Sequence, residues 1–371
     1  MTFPKEKKLR LGVTTGTCAA AAVKAAVLFL QGVEMSSVEV ETPRHKWLSV
    51  PVKHVRKTEL GAMACVQKDA GDDPDITNGV SVWAEVVIDN AGPVITICGG
   101  EGIGIVTKPG LSIAVGEAAI NPGPRWMIEQ VARSVLLSGK GAAITISIPA
   151  GVQLAKRTLN PILGIEGGLS VLGTTGIVHP MSEEAWKSSL VPQIRVVKGL
   201  GHEDIVFVPG KIGYDIAVNR YGLPKDQVVQ TSNFIGYMLE HAVKCGIKRV
   251  LLFGHIGKLV KVAGGIFHTH SRMADARQEV MAAYLAGMGA AVEVVNRILE
   301  CTTTEAAMTI IADHNLQHVY HVIARRATLR AERYVFGELT VGTAMVTLKG
   351  ELLGWDEAAC EIGGSLGWKV R

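Results

Sequence analysis

Residues 249–261 read RVLLFGHIGKLVK, an apolar run followed by a segment that holds two glycines, a histidine and two lysines. The run over 249–253 has the length and apolar composition of a buried strand. Ligands of open α/β proteins bind beyond the carboxyl ends of the strands. The stretch therefore predicts a strand of a parallel sheet with a candidate binding site at its carboxyl end.

Short apolar runs and helical segments alternate on both sides of this stretch, which is typical of a parallel sheet covered by helices. We therefore predict a C-terminal α/β domain that is Rossmann-like. The predicted strands are 205–208, 249–253 and a final one at 344–349, and the predicted helices are 233–244, 272–288, 305–315 and 319–330.

The first half of the chain has a different pattern, with a long Ala-rich helix and several strands in succession, which indicates an α+β domain. A Pro149-Ala150-Gly151 break opens a Gly-rich connection over 160–180. Because 371 residues exceed the usual limit of one growing core, we predict two domains, 1–150 and 151–371. The predicted helices of the first are 15–30 and 126–137, and its strands are 38–41, 48–52, 62–67, 80–88, 93–98 and 142–148.

Composition excludes several classes of protein. The formal net charge is +4 and aromatic residues make up 5% of the chain, so neither a basic stripe nor a stacking platform for nucleic acid is expected. Lys24 interrupts the apolar segment near the N-terminus, and no stretch has the length of a membrane helix. The six cysteines stand far apart without a C-x-x-C pair, which indicates free thiols and a cytoplasmic protein.

Residues 68–77 place four carboxylates, those of Asp69, Asp72, Asp73 and Asp75, within a segment of seven residues. A metal ion, a lysine or a sulfonium would relieve their mutual repulsion. Alternatively, the segment is a solvated loop in which the Asp side chains form Asx turns. Pro74 and the missing downstream Glu exclude an EF-hand, so calcium is not predicted.

Glycine-rich and hydroxyl-rich turns supply further candidates, each with a structural alternative. The glycines of 99–104 follow a predicted strand and suit a cofactor, yet no helix follows to complete a nucleotide site. The Thr-rich turn 14–17 is either an anion site at a helix start or an ordinary N-cap. Arg125 is either a carboxylate clamp or a surface arginine.

The segment 254–275 is the richest in polar side chains. It is not a P-loop, because Leu259 stands where the motif requires a hydroxyl. His255, His268 and His270 could suggest a metal triad, but no further ligand at a fitting spacing supports it, and helix capping and core hydrogen bonds explain single histidines more often. No dedicated metal site is predicted.

Read in order, the motifs TTGTCAAAA, KDAGDDPDIT, GEGIGIVTKPGL, GEAAINPGPR, GIEGG, GTTGIV, GHIGK and THS resemble the CbiD family of cobalamin biosynthesis. The resemblance implies methyl transfer from S-adenosylmethionine to C-1 of cobalt-precorrin-5B, which yields cobalt-precorrin-6A on the oxygen-independent route. It also implies that cobalt arrives only as part of the substrate.

This reaction needs a positioned ring carbon, groups that bind the substrate's acetates and propionates, and a base for a ring N–H proton. Candidate catalytic residues are Asp72, Asp73, Asp75, His255 and His270; for the cofactor they are Gly100, Glu101, Gly102 and Gly104; for the substrate they are Thr15, Thr17, Arg125, Lys258, Lys261 and Arg272.

Two other functions stay open on the sequence. One is a nucleotide-dependent oxidoreductase that uses the glycines of 99–104 or the edge at 251–261. The other is a non-catalytic corrinoid-binding protein, for which the same anion-binding loops suffice. A homo-oligomer is also left open.

Overall fold

The computed structural model describes residues 9–368, and the chain divides into two compact units between Glu183 and Glu184. The domain boundary predicted after residue 150 is therefore corrected to a later position. The reason is that the Gly-rich connection pairs with the first unit: Ile165 pairs with Val106, and Ile177 pairs with Val13.

Apart from a 3₁₀ turn at Ala155–Arg157, the first unit is built from two longer α-helices, two short α-helices and eleven strands in the described range. In chain order they are β1 (Gly12–Val13), α1 (Thr15–Leu30), β2 (Ser37–Glu41), β3 (Trp47–Pro51), β4 (His54–Lys57), β5 (Ala62–Gln67), β6 (Ser81–Asp89), β7 (Ile95–Gly99), β8 (Ile105–Val106), α2 (Pro122–Val135), β9 (Gly141–Ser147), α3 (Gly151–Leu154), α4 (Asn160–Leu163), β10 (Ile165–Glu166) and β11 (Ile177–Val178).

A five-stranded sheet of order β4-β5-β6-β9-β7 forms the centre of this unit. Its strands are antiparallel except for the β7–β9 pair. Helix α1 packs against β5, β6 and α2, and its alanines 19–22 are fully buried. Small side chains let the helix approach the sheet closely, so the Ala-rich segment is a core helix with the predicted bounds.

In the described range, the second unit has five strands and nine α-helices. Its elements are α5 (Glu183–Gly199, whose first residue precedes the division), β12 (Asp204–Val208), α6 (Lys211–Asp215), β13 (Val228–Gln230), α7 (Ile235–Lys244), β14 (Arg249–His255), α8 (Ile256–Ala263), α9 (Arg277–Gly287), α10 (Val292–Leu299), α11 (Thr304–Asp313), α12 (Val319–Tyr334), β15 (Thr340–Val346), β16 (Leu352–Trp355) and α13 (Glu357–Ser365). Strands and helices alternate along the chain up to α8, and a helical stretch from α9 to α12 then precedes the last two strands and α13.

Its sheet has the order β13-β12-β14-β15-β16. The first four strands are parallel and β16 is antiparallel. The strand predicted at 249–253 lies at the centre and is buried from Val250 to Gly254. The molecule is thus mixed α/β. The strand predicted as the final one is not final, because β16 and α13 follow it.

Helix α8 begins directly at the end of β14, where the sequence predicted a strand end with polar groups and no helix. The side chain of His255 accepts a hydrogen bond from the backbone N–H of Gly257 and so caps the helix. The strand and its polar end therefore pass into a helix whose inner face is apolar. Between residues 9 and 368, no helix combines the length and the apolar composition needed to cross a membrane.

Candidate functional site

The hydroxyls at the start of α1 are hydrogen-bonded to the segment that follows β10. Thr15 Oγ1 accepts from the backbone N–H of Leu172 at 2.9 Å, and Thr17 Oγ1 donates to the carbonyl of Gly176 at 2.7 Å. Thr14 caps the helix by accepting from the N–H of Thr17. These contacts support the N-cap interpretation, and the substrate-binding role of Thr15 and Thr17 stays a prediction.

The variant Thr17→Val is expected to destabilise the protein by about 1–2 kcal/mol, because it keeps the shape of a fully buried side chain but removes the donor to Gly176. Chemical denaturation of this variant and of Thr174→Val, at an exposed position, measures the effect. If Thr17→Val instead raised the KM for substrate at unchanged stability, the hydroxyl would be a ligand-binding group.

The acidic segment is neutralised by two basic side chains and by backbone N–H groups. Asp69 pairs with the guanidinium of Arg10, and Asp75 accepts from Lys68 Nζ at 2.7 Å and from Thr77. Asp72 accepts from the N–H of Arg10 and Asp73 from that of Met181. The sequence left a metal ion, a lysine and a sulfonium open as counterions. The structure supplies a lysine, Lys68, and in addition an arginine, Arg10.

Lys68 and Asp75 form the most buried ion pair of the segment, with the lysine side chain 2% exposed and the carboxylate 27% exposed. Burial alone would raise the pKa of Asp75, but hydrogen bonds from Lys68 and Thr77 more than offset it, so the pKa is lowered. A carboxylate with a lowered pKa and occupied oxygens is a weak base, which disfavours Asp75 among the catalytic candidates.

The glycines predicted to contact a cofactor pack against other backbone of the first unit, and their cofactor role stays a prediction. A Cβ on Gly102 would lie 1.9 Å from the carbonyl oxygen of Ile148, and the residue has a φ of +74°. Gly100 donates to Ile146 O, Gly104 donates to Leu169 O, and the carbonyl of the exposed Glu101 accepts from Ile148 N. Close packing therefore explains these glycines without a ligand.

Arg125 lies in the first turn of α2 and is half-buried. Its guanidinium has one long contact, from Nη1 to the carbonyl of Ile97 at 3.5 Å. Most of its donors are thus available. The predicted carboxylate clamp is compatible with this geometry and remains a prediction.

In the second unit, Lys258 and Lys261 converge on the carbonyl oxygen of Thr269, at 3.5 and 3.3 Å. Lys261 is almost fully buried and also donates to the carbonyl of Ala274 at 2.8 Å. Lys258 is partly exposed and donates to Oδ1 of Asn233 at 2.5 Å. Lys261 is therefore a satisfied structural lysine, whereas Lys258 is accessible to a ligand.

The electrostatic setting of Lys258 favours an anion. Burial, followed by the nearby charges of Lys261 and Arg277, lowers the pKa of Lys258. No carboxylate pairs with Lys258 in the described part of the chain, since Asp275 pairs with Arg277 and lies 3.6 Å from Lys261. A carboxylate-bearing ligand would supply the missing countercharge.

Both candidate histidines use Nδ1 to accept a backbone N–H two residues further on, His255 from Gly257 and His270 from Arg272. His255 Nε2 lies 3.4 Å from Glu305 Oε1, yet it is buried without a hydrogen-bond partner in the range 9–368. Burial lowers the pKa of His255 despite the attraction of Glu305. His255 is thus a neutral helix cap near pH 7, and His270 is exposed.

Sequence reasoning missed Asn233, which orients Lys258. Asn233 follows Ser232, which has a φ of +53°, and such strain is concentrated at functional sites. The backbone at 231–233 turns immediately after β13, so Asn233 and Lys258 meet although 25 residues separate them. Arg272, the remaining substrate candidate, is exposed. Nothing in the described range groups three or more potential metal ligands.

Comparisons with known proteins agree with this division of the chain. The model of the family described as CbiD matches residues 2–180, and that of the CbiD C-terminal domain matches residues 268–357. The first match ends close to the division between the units.

Curated relatives match almost end to end. Proteins from Moorella thermoacetica, Desulfitobacterium hafniense and Methanocaldococcus jannaschii are 52, 46 and 43% identical to this chain. The alignments cover 98, 95 and 95% of this chain and 99, 92 and 98% of the relatives. A crystal structure of a cobalamin biosynthesis protein (cbiD) from Archaeoglobus fulgidus is 28% identical, with 75 and 87% of the two chains covered and a TM-score of 0.41.

The relatives are named as methyltransferases, a class of transferase enzyme. A mixed α/β chain with candidate carboxylate-binding residues fits this class. The chain belongs to the CbiD family. The resemblance carried by the sequence motifs is thereby confirmed. All three curated relatives bear the name cobalt-precorrin-5B C(1)-methyltransferase.

Proposed function

We propose that this protein methylates C-1 of cobalt-precorrin-5B with S-adenosylmethionine as the donor, giving cobalt-precorrin-6A in the oxygen-independent cobalamin pathway. The observation that carries the proposal is the near full-length match to relatives of that one name, at 52% identity for the Moorella protein. Because both chains are covered almost completely, no unit of the relatives lacks a counterpart here. A cytoplasmic location fits such a biosynthetic step.

Lys258 is proposed to bind a peripheral carboxylate of the substrate. Among residues 9–368, its ammonium has only neutral oxygen partners, Asn233 Oδ1 and Thr269 O, and two further cations are close to it. An acetate or propionate would form a charge-assisted hydrogen bond with Lys258 and offset this repulsion. Asn233 keeps the ammonium directed to one position, which orients the substrate.

The donor is proposed to bind at the carboxyl edge of the sheet of the second unit, where the strand order reverses between β12 and β14. Two buried polar atoms of this unit, His255 Nε2 and Thr269 Oγ1, have no hydrogen-bond partner between residues 9 and 368. Such atoms fit a polar ligand. When bound, the donor supplies an electrophilic methyl group on a sulfonium.

The base for the ring N–H proton is proposed to be Asp72 or Asp73. Each carboxylate keeps an acceptor oxygen after its observed contact is counted. Asp75 is disfavoured by its contacts with Lys68 and Thr77. His255 and His270 are disfavoured because Nδ1 of each already accepts a backbone N–H, which leaves the proton on Nε2.

Calorimetric titration with S-adenosylhomocysteine, beside NADPH as a control, tests the donor class. Saturable binding of S-adenosylhomocysteine alone is expected, because the demethylated product keeps most of the donor's contacts. Binding of NADPH alone would instead favour the oxidoreductase. Turnover of cobalt-precorrin-5B with S-adenosylmethionine then separates an enzyme from a corrinoid-binding protein, which would produce no methylated corrinoid.

A further inference from the structure

Helix α12 carries four arginines, at 325, 326, 330 and 333, and one acid, Glu332. The carboxylate of Glu332 accepts from the backbone N–H of Val341. Arg326 and Arg330 are four residues apart, so their side chains lie on one face of the helix. The next position on this row is Tyr334, whose ring stacks on that of Phe267 at 4.1 Å between centroids.

Both arginines are only partly exposed. The Nε atom of each is buried and has no hydrogen-bond partner in the part of the chain that the structure describes. No ion pair of either guanidinium with a described residue is present. A buried N–H without an acceptor is unfavourable, and so is a like-charged pair at this helical spacing.

The unpaired Nε–H groups and the repulsion between two like charges occur at the same pair of arginines. A carboxylate ligand would relieve both. A carboxylate accepts two parallel hydrogen bonds from a guanidinium, including one from Nε, and neutralises its charge. Lysine could not match this geometry. Tyr334, at the end of the row, contacts Phe267, which lies two residues before Thr269, the residue to which the two lysines donate.

We propose that Arg326 and Arg330 bind peripheral carboxylates of the corrinoid substrate, as an anion site in addition to Lys258. This inference rests on the proposed function for the identity of the ligand. The two arginines bind substrate and take no part in the transfer of the methyl group. They determine that the corrinoid must carry free carboxylates.

The test uses dicyanocobyrinic acid, a corrinoid with free peripheral carboxylates, and its fully methyl-esterified form as probes for the full-length protein. The variants Arg326→Gln and Arg330→Gln are each expected to bind the acid about tenfold or more weakly than the wild type. Arg325→Gln, on the exposed face of the same helix, is the matched control and should bind as the wild type does. The ester should bind weakly to all four proteins.

Thermal stability without ligand separates binding from a structural role. Since neither guanidinium has a hydrogen-bond or ion-pair partner among the described residues, each Gln variant is expected to melt at the wild-type temperature or above it. A lower melting temperature, wild-type affinity for the acid in both variants, absence of acid binding by the wild type, or equal binding of acid and ester would each overturn the proposal.

The same proteins distinguish this proposal from the proposed function. If the wild type shows no methyl transfer but binds the acid in an arginine-dependent way, the carboxylate site stands and the methyltransferase proposal fails. If the wild type methylates cobalt-precorrin-5B and both variants keep its KM, the enzyme proposal stands and the arginine site fails.

Discussion

Replacing Asp75 with asparagine is expected to lower the free energy of unfolding of the first unit by about 3 kcal/mol, because it leaves a buried ammonium without a counterion. Lys68 is 2% exposed and its only ion-pair partner in the described range is Asp75. The reciprocal variant Lys68→Met should be milder, since Asp75 is 27% exposed and keeps its hydrogen bonds from Thr77. Denaturant unfolding monitored by circular dichroism measures both.

The matched control for this effect is Asp72→Asn, the same substitution at an exposed position of the same loop. An amide oxygen can still accept from the N–H of Arg10, so little change is expected. The double variant Lys68→Met/Asp75→Asn should recover much of the lost stability. An Asp75→Asn variant no less stable than Lys68→Met would contradict the buried-pair interpretation.

The pH dependence of the same variant has a defined sign. The pKa of Asp75 is lower in the folded protein than its ordinary value, so its contribution to stability is complete above about pH 4, the pKa in the unfolded chain. It is lost as the pH falls through the folded-state pKa. The stability difference between wild type and Asp75→Asn should therefore narrow in acid.

Replacing Lys258 with methionine is expected to raise the KM for cobalt-precorrin-5B by roughly 10- to 100-fold, the range for loss of a hydrogen bond to a charged group. The kcat should change little, because a peripheral carboxylate is bound equally in the ground and transition states. Thermal stability should not fall, since Lys258 has no carboxylate partner in the described range. Steady-state kinetics and a melting curve measure the three quantities.

Lys248→Met is the matched control, because Lys248 is exposed and immediately precedes the amino end of β14. The KM of the wild type should rise as the pH increases through the lowered pKa of Lys258, since only the ammonium binds a carboxylate. Lys258→Arg should remove this alkaline rise, because a guanidinium stays charged. A KM that changes neither with the pH nor on replacement of Lys258 by methionine would rule out carboxylate binding by Lys258.

Much of the local structure could be predicted from the sequence. The bounds of α1 and β5 match the predicted segments 15–30 and 62–67, because Thr14 is a strong N-cap and strand alternation needs only neighbouring residues. The parallel strand at 249–253 and the motifs of the CbiD family were likewise evident. Helix α8 and the C-terminal pair β16 and α13 were missed, since short elements depend on packing that a local pattern does not contain.

The roles of the candidate side chains could not be predicted in the same way. Lys258 and Lys261 are alike by sequence, three residues apart, yet only Lys258 is accessible, because the carbonyl of Ala274 comes close to Lys261. Lys68 pairs with Asp75, Lys258 with Asn233 and Thr17 with Gly176, which lie 7, 25 and 159 residues away along the chain. By sequence, the glycines of 99–104 resemble a cofactor-binding turn. Only the tertiary structure shows that the backbone of Ile148 packs against Gly102.

The sequence by itself determined the family, the central strand with its polar end, and the residue types available for carboxylate binding. The tertiary structure alone decided which of those side chains are already paired and which still lack a partner. The physical reason is that the charge and hydrogen-bonding capacity of a side chain are properties of the residue, whereas burial and the satisfaction of its polar atoms depend on distant segments brought together by folding.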